Sequence, residues 1–156
     1  MIKQTIVLIG FILLAQSAGI LGSLATVSNI DSWYEFLVKP ALSPPNWVFG
    51  PVWTLLYTLM GIAAFLVWRS KKAGYVRALI FFGAHLIVNT AWTLIFFGEQ
   101  NIGMGLAVII LLDLWIAALI WRFWRFSKTA AYLLIPYLLW ALFATYLNFG
   151  YYWLNV

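Results

Sequence analysis

The chain has no cysteine, a single histidine, and four acidic residues in 156. Without thiols there can be no disulfide, no thiol nucleophile and no cysteine-ligated metal; the compartment stays open. His85 has no second histidine or carboxylate at ligand spacing, so a zinc-type site is not expected. No nucleophile–base–acid set appears, no glycine-rich phosphate loop followed by lysine, and no carboxylate pair at helical spacing within the apolar runs. Hydrolytic, redox-metal and phosphoryl-transfer chemistry therefore have no support, and no cofactor is expected. Proline is scarce too, and four of the five fall between Pro40 and Pro51.

What the chain has in quantity is apolar surface. Hydrophobic residues make up 65% and charged ones 8%, against roughly 45–50% and about 25% in soluble domains. Mean hydropathy is +0.98. Five apolar runs each approach or exceed the ~17–25 residues that cross hydrocarbon. The expected architecture is an all-α integral membrane protein, a single domain over 1–156, with helices at about 5–27, 51–69, 77–98, 102–122 and 129–153. The first run is long and holds Gly10, Gly19 and Gly22, so it reads as a span rather than a cleaved leader.

The net charge of +5 is sorted by helix end. Lys3, Arg69, Lys71, Lys72, Arg77, Arg122, Arg125 and Lys128 flank one set of ends; Asp31, Glu35, Lys39 and Glu99 flank the other. This is the asymmetry of the positive-inside rule. It predicts a multi-pass protein of the cell membrane, with the amino terminus cytoplasmic and the carboxyl terminus outside. Nucleic acid is not an expected partner; the lipid bilayer is.

One segment, Trp33 to Trp53, interrupts the apolar sequence with acids, a lysine and clustered prolines, and a continuous helix through it is not expected. It reads either as a structured cap over the helices or as an interfacial connector, since tryptophan and tyrosine favour the headgroup level. Asp31 is placed to cap a short helix carrying Trp33, Tyr34 and Leu37, ended by Pro40.

Within the spans, helical spacing sets out the faces. Gly19 and Ser23 in the first form a small-xxx-small pair that admits a neighbouring backbone. Trp53, Tyr57, Gly61 and Ala64 share a face of the second. The third carries His85, Asn89, Trp92 and Phe96. His85 is read as a partner in interhelical hydrogen bonds, and Asn89 as either a ligand contact or a brace for the tryptophan wall. Asp113, mid-span in the fourth, must face the bundle interior; Asn89, His85 and the tyrosines of the second and fifth spans are its expected partners. Pro136 should bend the fifth span early. Beyond it Trp140 and Ala144 pair a flat surface with a gap, suited to a ring system or to a close helix crossing. Asn148 continues that face, and Phe149, Tyr151, Tyr152 and Trp153 read as an outer aromatic belt.

Ten tryptophans, eight tyrosines and twelve phenylalanines exceed what two interfacial belts require. Those near the connector end can converge on an apolar cavity with a few polar groups, the usual form of a small-molecule site. A flat conjugated or polycyclic ligand would suit it, oriented by Asn89, Tyr57 or Asp113.

The motifs Trp33-Tyr34-x-x-Leu37-x-Lys39-Pro40, Pro44-Pro45-x-Trp47-Val48-Phe49-Gly50-Pro51-Val52-Trp53-Thr54-x-x-Tyr57, Asn89-x-x-Trp92, Pro136-Tyr137-x-x-Trp140 and Leu147-Asn148 together resemble the TspO/MBR family over nearly the whole chain. That family comprises the tryptophan-rich sensory proteins and the mitochondrial translocator protein. The resemblance implies a five-helix bundle, usually dimeric, whose first loop covers a ligand pocket. Helices 1 and 3, the latter through Gly83 and Ala84, are the candidate dimer faces. The implied ligands are porphyrins such as protoporphyrin IX or a related tetrapyrrole, with cholesterol-like lipids and synthetic isoquinoline or benzodiazepine drugs in some members. Family pocket residues map onto Trp47, Trp53, Asn89, Trp92, Asp113, Trp140 and Ala144; Tyr57, Phe96 and Asn148 are added from their helix faces. If the porphyrin is degraded by light and oxygen, as for some bacterial relatives, Trp53 and Trp140 match the residues tied to that activity. The late-helix steroid pattern is incomplete here, because Leu147 and Tyr151 or Tyr152 are followed by no basic residue. The expected role is porphyrin binding with a sensory, regulatory or transport purpose; the alternatives are photo-oxidative degradation, or a regulatory membrane partner with a lipid-filled pocket.

Overall fold

A computed structural model describes residues 2–156. Six helices follow in order: α1 (Ile2–Asn29), α2 (Phe49–Ser70), α3 (Tyr75–Thr93), α4 (Ile102–Trp124), α5 (Lys128–Leu133) and α6 (Ile135–Asn155). With α5 and α6 counted as one interrupted span, five segments are long and apolar enough to cross a membrane. The interruption falls at Leu134, because Pro136 has no N–H to continue the ladder and crowds the turn before it.

The turns at the basic end are tight. Lys71 and Gly74 take left-handed backbone between α2 and α3, with φ of 52° and 87°. Lys72 Nζ donates to the carbonyls of Arg125 at 3.2 Å and Phe126 at 3.0 Å, tying this turn to the one after α4. At the opposite end Asn101 caps α4, accepting from the Met104 N–H at 2.9 Å.

The helices form a closed ring in which α1 packs on α2, α2 on α5, the α5–α6 span on α4, α4 on α3, and α3 on α1. Its basic half is filled solid by Met60, Ala63, Val67, Phe82, Leu112, Ile116, Leu119 and Phe123. Lipid is as apolar as these side chains, so close packing and hydrogen bonds, rather than water exclusion, hold the helices together. Gly61 shows how close. A Cβ there would sit 2.5 Å from Ile12 Cα and 2.9 Å from the Phe11 carbonyl oxygen, so α1 and α2 touch backbone to backbone.

Above that contact α1 leans away from α2 and onto α3. Thr90 Oγ1 donates to the Ala18 carbonyl at 3.3 Å, and a Cβ on Gly22 would meet Thr93 at 3.2 Å. Gly19, expected to admit a backbone, instead faces the ring of Tyr57, 2.4 Å from where its Cβ would be. The end of α3 widens into a π turn over Leu94–Gly98, which directs the adjacent rings of Phe96 and Phe97 inward together.

Candidate functional site

The leaning of α1 leaves the loop-side half of the ring hollow. A cavity of about 910 Å³ lies there, lined by α1, α2, α3 and α6 and roofed by the connector. The connector is a cap, not a loose link. Tyr34 sits on a short 3-10 turn, Tyr34–Phe36, and is only 2% exposed. Its hydroxyl accepts from Tyr151 at 2.7 Å, and its ring meets Phe97 at 5.4 Å and Phe49 at 6.4 Å. Burial, with Tyr151 alongside, pushes the Tyr34 hydroxyl above the usual tyrosine range.

Three further contacts fasten this cap to α6. The Val38 N–H donates to Asn155 Oδ1 at 2.8 Å, and Asn155 Nδ2 returns a bond to the Val38 carbonyl at 3.1 Å. Tyr146 donates to the Ala41 carbonyl at 3.0 Å. Pro40 fills the space above Gly150, where a Cβ would lie 2.4 Å from it. Asp31 does not cap the helical turn as expected. The turn begins at Trp33 without a side-chain cap, and Asp31 instead accepts from Asn46 at 3.4 Å. Asn46 also donates to Glu35 at 3.1 Å, and Lys39 pairs with Glu35 at 2.9 Å. The hydrogen bond from Lys39, followed by that from Asn46, holds the Glu35 carboxyl below its ordinary range.

The walls are aromatic. Trp53 lies 5.5 Å from Tyr57 and 6.0 Å from Trp92, and Trp92 stacks on Phe96 at 6.2 Å, centroid to centroid. Trp92 Nε1 donates to Asn148 Oδ1 at 3.4 Å, and Asn148 Nδ2 donates to the Ala144 carbonyl at 2.9 Å. Trp53, Tyr57, Trp92, Phe96, Ala144 and Asn148 all line the cavity, and Trp47, 75% exposed, stands at its mouth.

Three expected site residues lie elsewhere. Asn89 is fully buried beneath the floor, with both ends of its amide engaged: the Tyr57 hydroxyl donates to Oδ1, and Nδ2 donates to the Tyr137 hydroxyl at 2.9 Å. Tyr137 in turn meets His85 Nε2 at 2.8 Å. His85 is thus an interhelical hydrogen-bonding partner, and Asn89 braces the wall through Tyr57. Asp113 does not find Asn89, His85 or a tyrosine. It lies at the α4–α6 seam and accepts from Thr145 at 2.6 Å, because its position on α4 faces α6 rather than the ring's centre. Trp140 stands behind Phe49, at 6.2 Å, and does not line the cavity.

Other lining residues were not foreseen. Tyr151, assigned to the belt, is 1% exposed and lines the cavity, because the cap folds down over it. Phe97 enters through the π turn, which regular helical spacing cannot show. Gly19, Thr93 and Leu147 add to the surface of the cavity.

Residues 11–154 match the TspO/MBR family. The chain belongs to that family. Its TspO/MBR relatives include a tryptophan-rich protein TspO of Archaeoglobus fulgidus, 42% identical over 95% of this chain and 96% of the relative. The tryptophan-rich sensory protein of Cereibacter sphaeroides is 44% identical over 76% of this chain and 74% of its own. The human translocator protein is 40% identical over 75% and 71%. Sensory and translocator names thus occur side by side among the relatives.

Proposed function

We propose that this TspO/MBR membrane protein binds a porphyrin or related tetrapyrrole in the capped cavity and serves a sensory, regulatory or transport role. The observation that carries the reading is the cavity. Its volume of about 910 Å³ is at the upper end of the ~300–1,000 Å³ typical of small-molecule sites. Its wall is a run of contacting rings from Tyr57 through Trp53 and Trp92 to Phe96. Flat rings gain most from stacking and edge contacts of this kind, and Asn148 offers a polar group among them. The same cavity suits a sterol-like lipid or a synthetic isoquinoline less fully, since neither uses the whole aromatic wall. The charge asymmetry supports an amino terminus in the cytoplasm of a cell-membrane protein, and the exposed outer face of α3 with Gly83 supports a homodimer.

The test is a titration of the detergent-purified protein with protoporphyrin IX in the dark, read by tryptophan quenching. Saturation near one ligand per chain is expected. Trp53→Ala should weaken binding by about tenfold or more, the scale of a lost ring contact, whereas Trp140→Phe should change it little. Linear, unsaturable quenching would sink the reading. Illumination of the loaded sample addresses degradation: pigment loss that depends on Trp53 rather than Trp140 would fit the wall as described.

A further inference from the structure

The cap is fastened to α6 through Tyr34, Val38, Pro40 and Ala41, yet the cavity has a second boundary that is not sealed. Near the basic end α1 and α2 are in backbone contact at Gly61 and Ile12. Slightly higher, Gln16 Nε2 donates to the Thr54 carbonyl at 2.9 Å and to Thr58 Oγ1 at 3.0 Å, and one turn further on Gly19 rests against the Tyr57 ring, which closes the contact between the two helices. Beyond it α1 follows α3, held by Thr90 and Thr93, and at its end by Gln100, which donates to Asn29 at 3.0 Å. A wedge therefore opens between α1 and α2 on the loop side. Ile20, Ser23 and Val27 border it on α1; Trp47, Gly50 and Thr54 border it opposite. All six line the cavity and all six are exposed on the outer surface, Ile20 at 62% and Val27 at 73%.

The slot has the dimensions of a leaflet. Gln16 on α1 and Ile30 just past its end both line the cavity, and at 1.5 Å per residue they are roughly 21 Å apart along the helix direction. Half of a hydrocarbon core is about 15 Å, so the slot runs from the bilayer interior to the headgroup level. Its lower end is the amide of Gln16 with Thr54, and above that its sides mix apolar Ile20, Val27 and Trp47 with the hydroxyl of Ser23. Its upper end is the polar rim of Asp31, Glu35, Lys39 and Asn46.

We infer that the cavity is loaded sideways, from the leaflet on the loop side, through the slot between α1 and α2, while the cap stays fastened to α6. The occupant is a flat, largely apolar amphiphile dissolved in the bilayer, its body passing between α1 and α2 and its polar end travelling along the rim. Gln16 sets the depth of the opening. This inference rests on the porphyrin-binding reading for its probe, not for its geometry.

The absence of cysteine makes the test clean. Ser23→Cys gives a single thiol at the slot, which a bulky maleimide can plug; Val38→Cys with Asn155→Cys gives a disulfide across the cap. Loading is followed as tryptophan quenching after mixing protein in phosphatidylcholine vesicles with protoporphyrin IX already dissolved in vesicles. The plug should slow loading by about tenfold, and when attached after loading should slow release by a similar factor, since a blocked route affects both directions. The cap disulfide should leave both rates within about twofold of the reduced form. A disulfide that slows loading while the plug does not would overturn the lateral route. So would a plug that lowers the amount bound without slowing release, which would make Ser23 part of the seat rather than the passage. If the unmodified protein shows no saturable quenching, the porphyrin reading fails separately. The slot is then read with phosphatidylcholine brominated on its acyl chains: quenching that the Ser23 plug relieves supports the opening, and quenching that the plug leaves unchanged overturns it.

Discussion

The backbone contact at Gly61 gives the sharpest quantitative test of the bundle. Gly61→Ala would place a methyl carbon 2.5 Å from Ile12 Cα, 2.8 Å from Ile12 N and 2.9 Å from the Phe11 carbonyl oxygen. All three are backbone atoms of α1, so no side-chain rotation relieves the overlap. Ordinary carbon contacts begin near ~3.5 Å, so α1 must retreat by about 1 Å, which also stretches the Gln16 bonds to Thr54 and Thr58. Overpacking of this kind costs about 1–3 kcal/mol. Against it stands the helix-propensity gain of Gly→Ala, about 1 kcal/mol. Gly83 supplies the control when the protein is held as a monomer in dilute detergent, because nothing of its own chain lies within 4 Å of its would-be Cβ and only the propensity gain then applies. For a chain of this length 1 kcal/mol moves Tm by roughly 2–4 °C. Thermal unfolding in detergent, followed by helical circular dichroism, should show Gly83→Ala at or a few degrees above the parent. Gly61→Ala should fall clearly below Gly83→Ala, by roughly 2–12 °C across that range of overpacking costs. Equal shifts for the two variants would refute the proposed α1–α2 approach.

Three further outcomes follow from the cap and the polar contacts. Glu35 has its carboxyl held below the ordinary range, so its contribution to fastening the rim is present above the unfolded value near 4.5 and is lost as pH falls through the lowered folded value. Hydrogen exchange of the amides between Asp31 and Asn46 should therefore speed up at acid pH relative to the intrinsic rate, and Lys39→Ala should remove most of that pH dependence. Gly150→Val would drive a side chain into Pro40, and should raise protease sensitivity of the connector without changing helix content; an unaltered cleavage rate would count against the fastened cap. Thr145→Val removes the donor to Asp113 and should cost about 0.5–2 kcal/mol, the range of interhelical hydrogen bonds in membranes, read as a lower Tm; no change would mean that Asp113 finds a partner outside the α4–α6 seam.

The sequence by itself determined the number of spans, the side of the bundle on which the basic residues gather, and the break at Pro136. These rest on properties that hold residue by residue: hydrocarbon length, the cost of moving charge across a bilayer, and a missing N–H. It also placed Trp53, Tyr57, Trp92 and Phe96 on compatible faces, because helical spacing is fixed wherever the helix is regular. What it could not decide was the position of each face relative to the hollow. Asn89, Asp113 and Trp140 sit on plausible faces, yet Asn89 lies below the floor, Asp113 in a seam with Thr145, and Trp140 behind Phe49. Those outcomes depend on how far α1 leans and how each helix is rotated, which small residues such as Gly61 and Gly22 set only through their partners. Tyr151 and Phe97 make the same point. One is buried by a cap folded from far along the chain, and the other is turned inward by a π turn that breaks the regular spacing. Only the tertiary structure brings such distant segments together, because their contacts are energies of pairs and not of single residues.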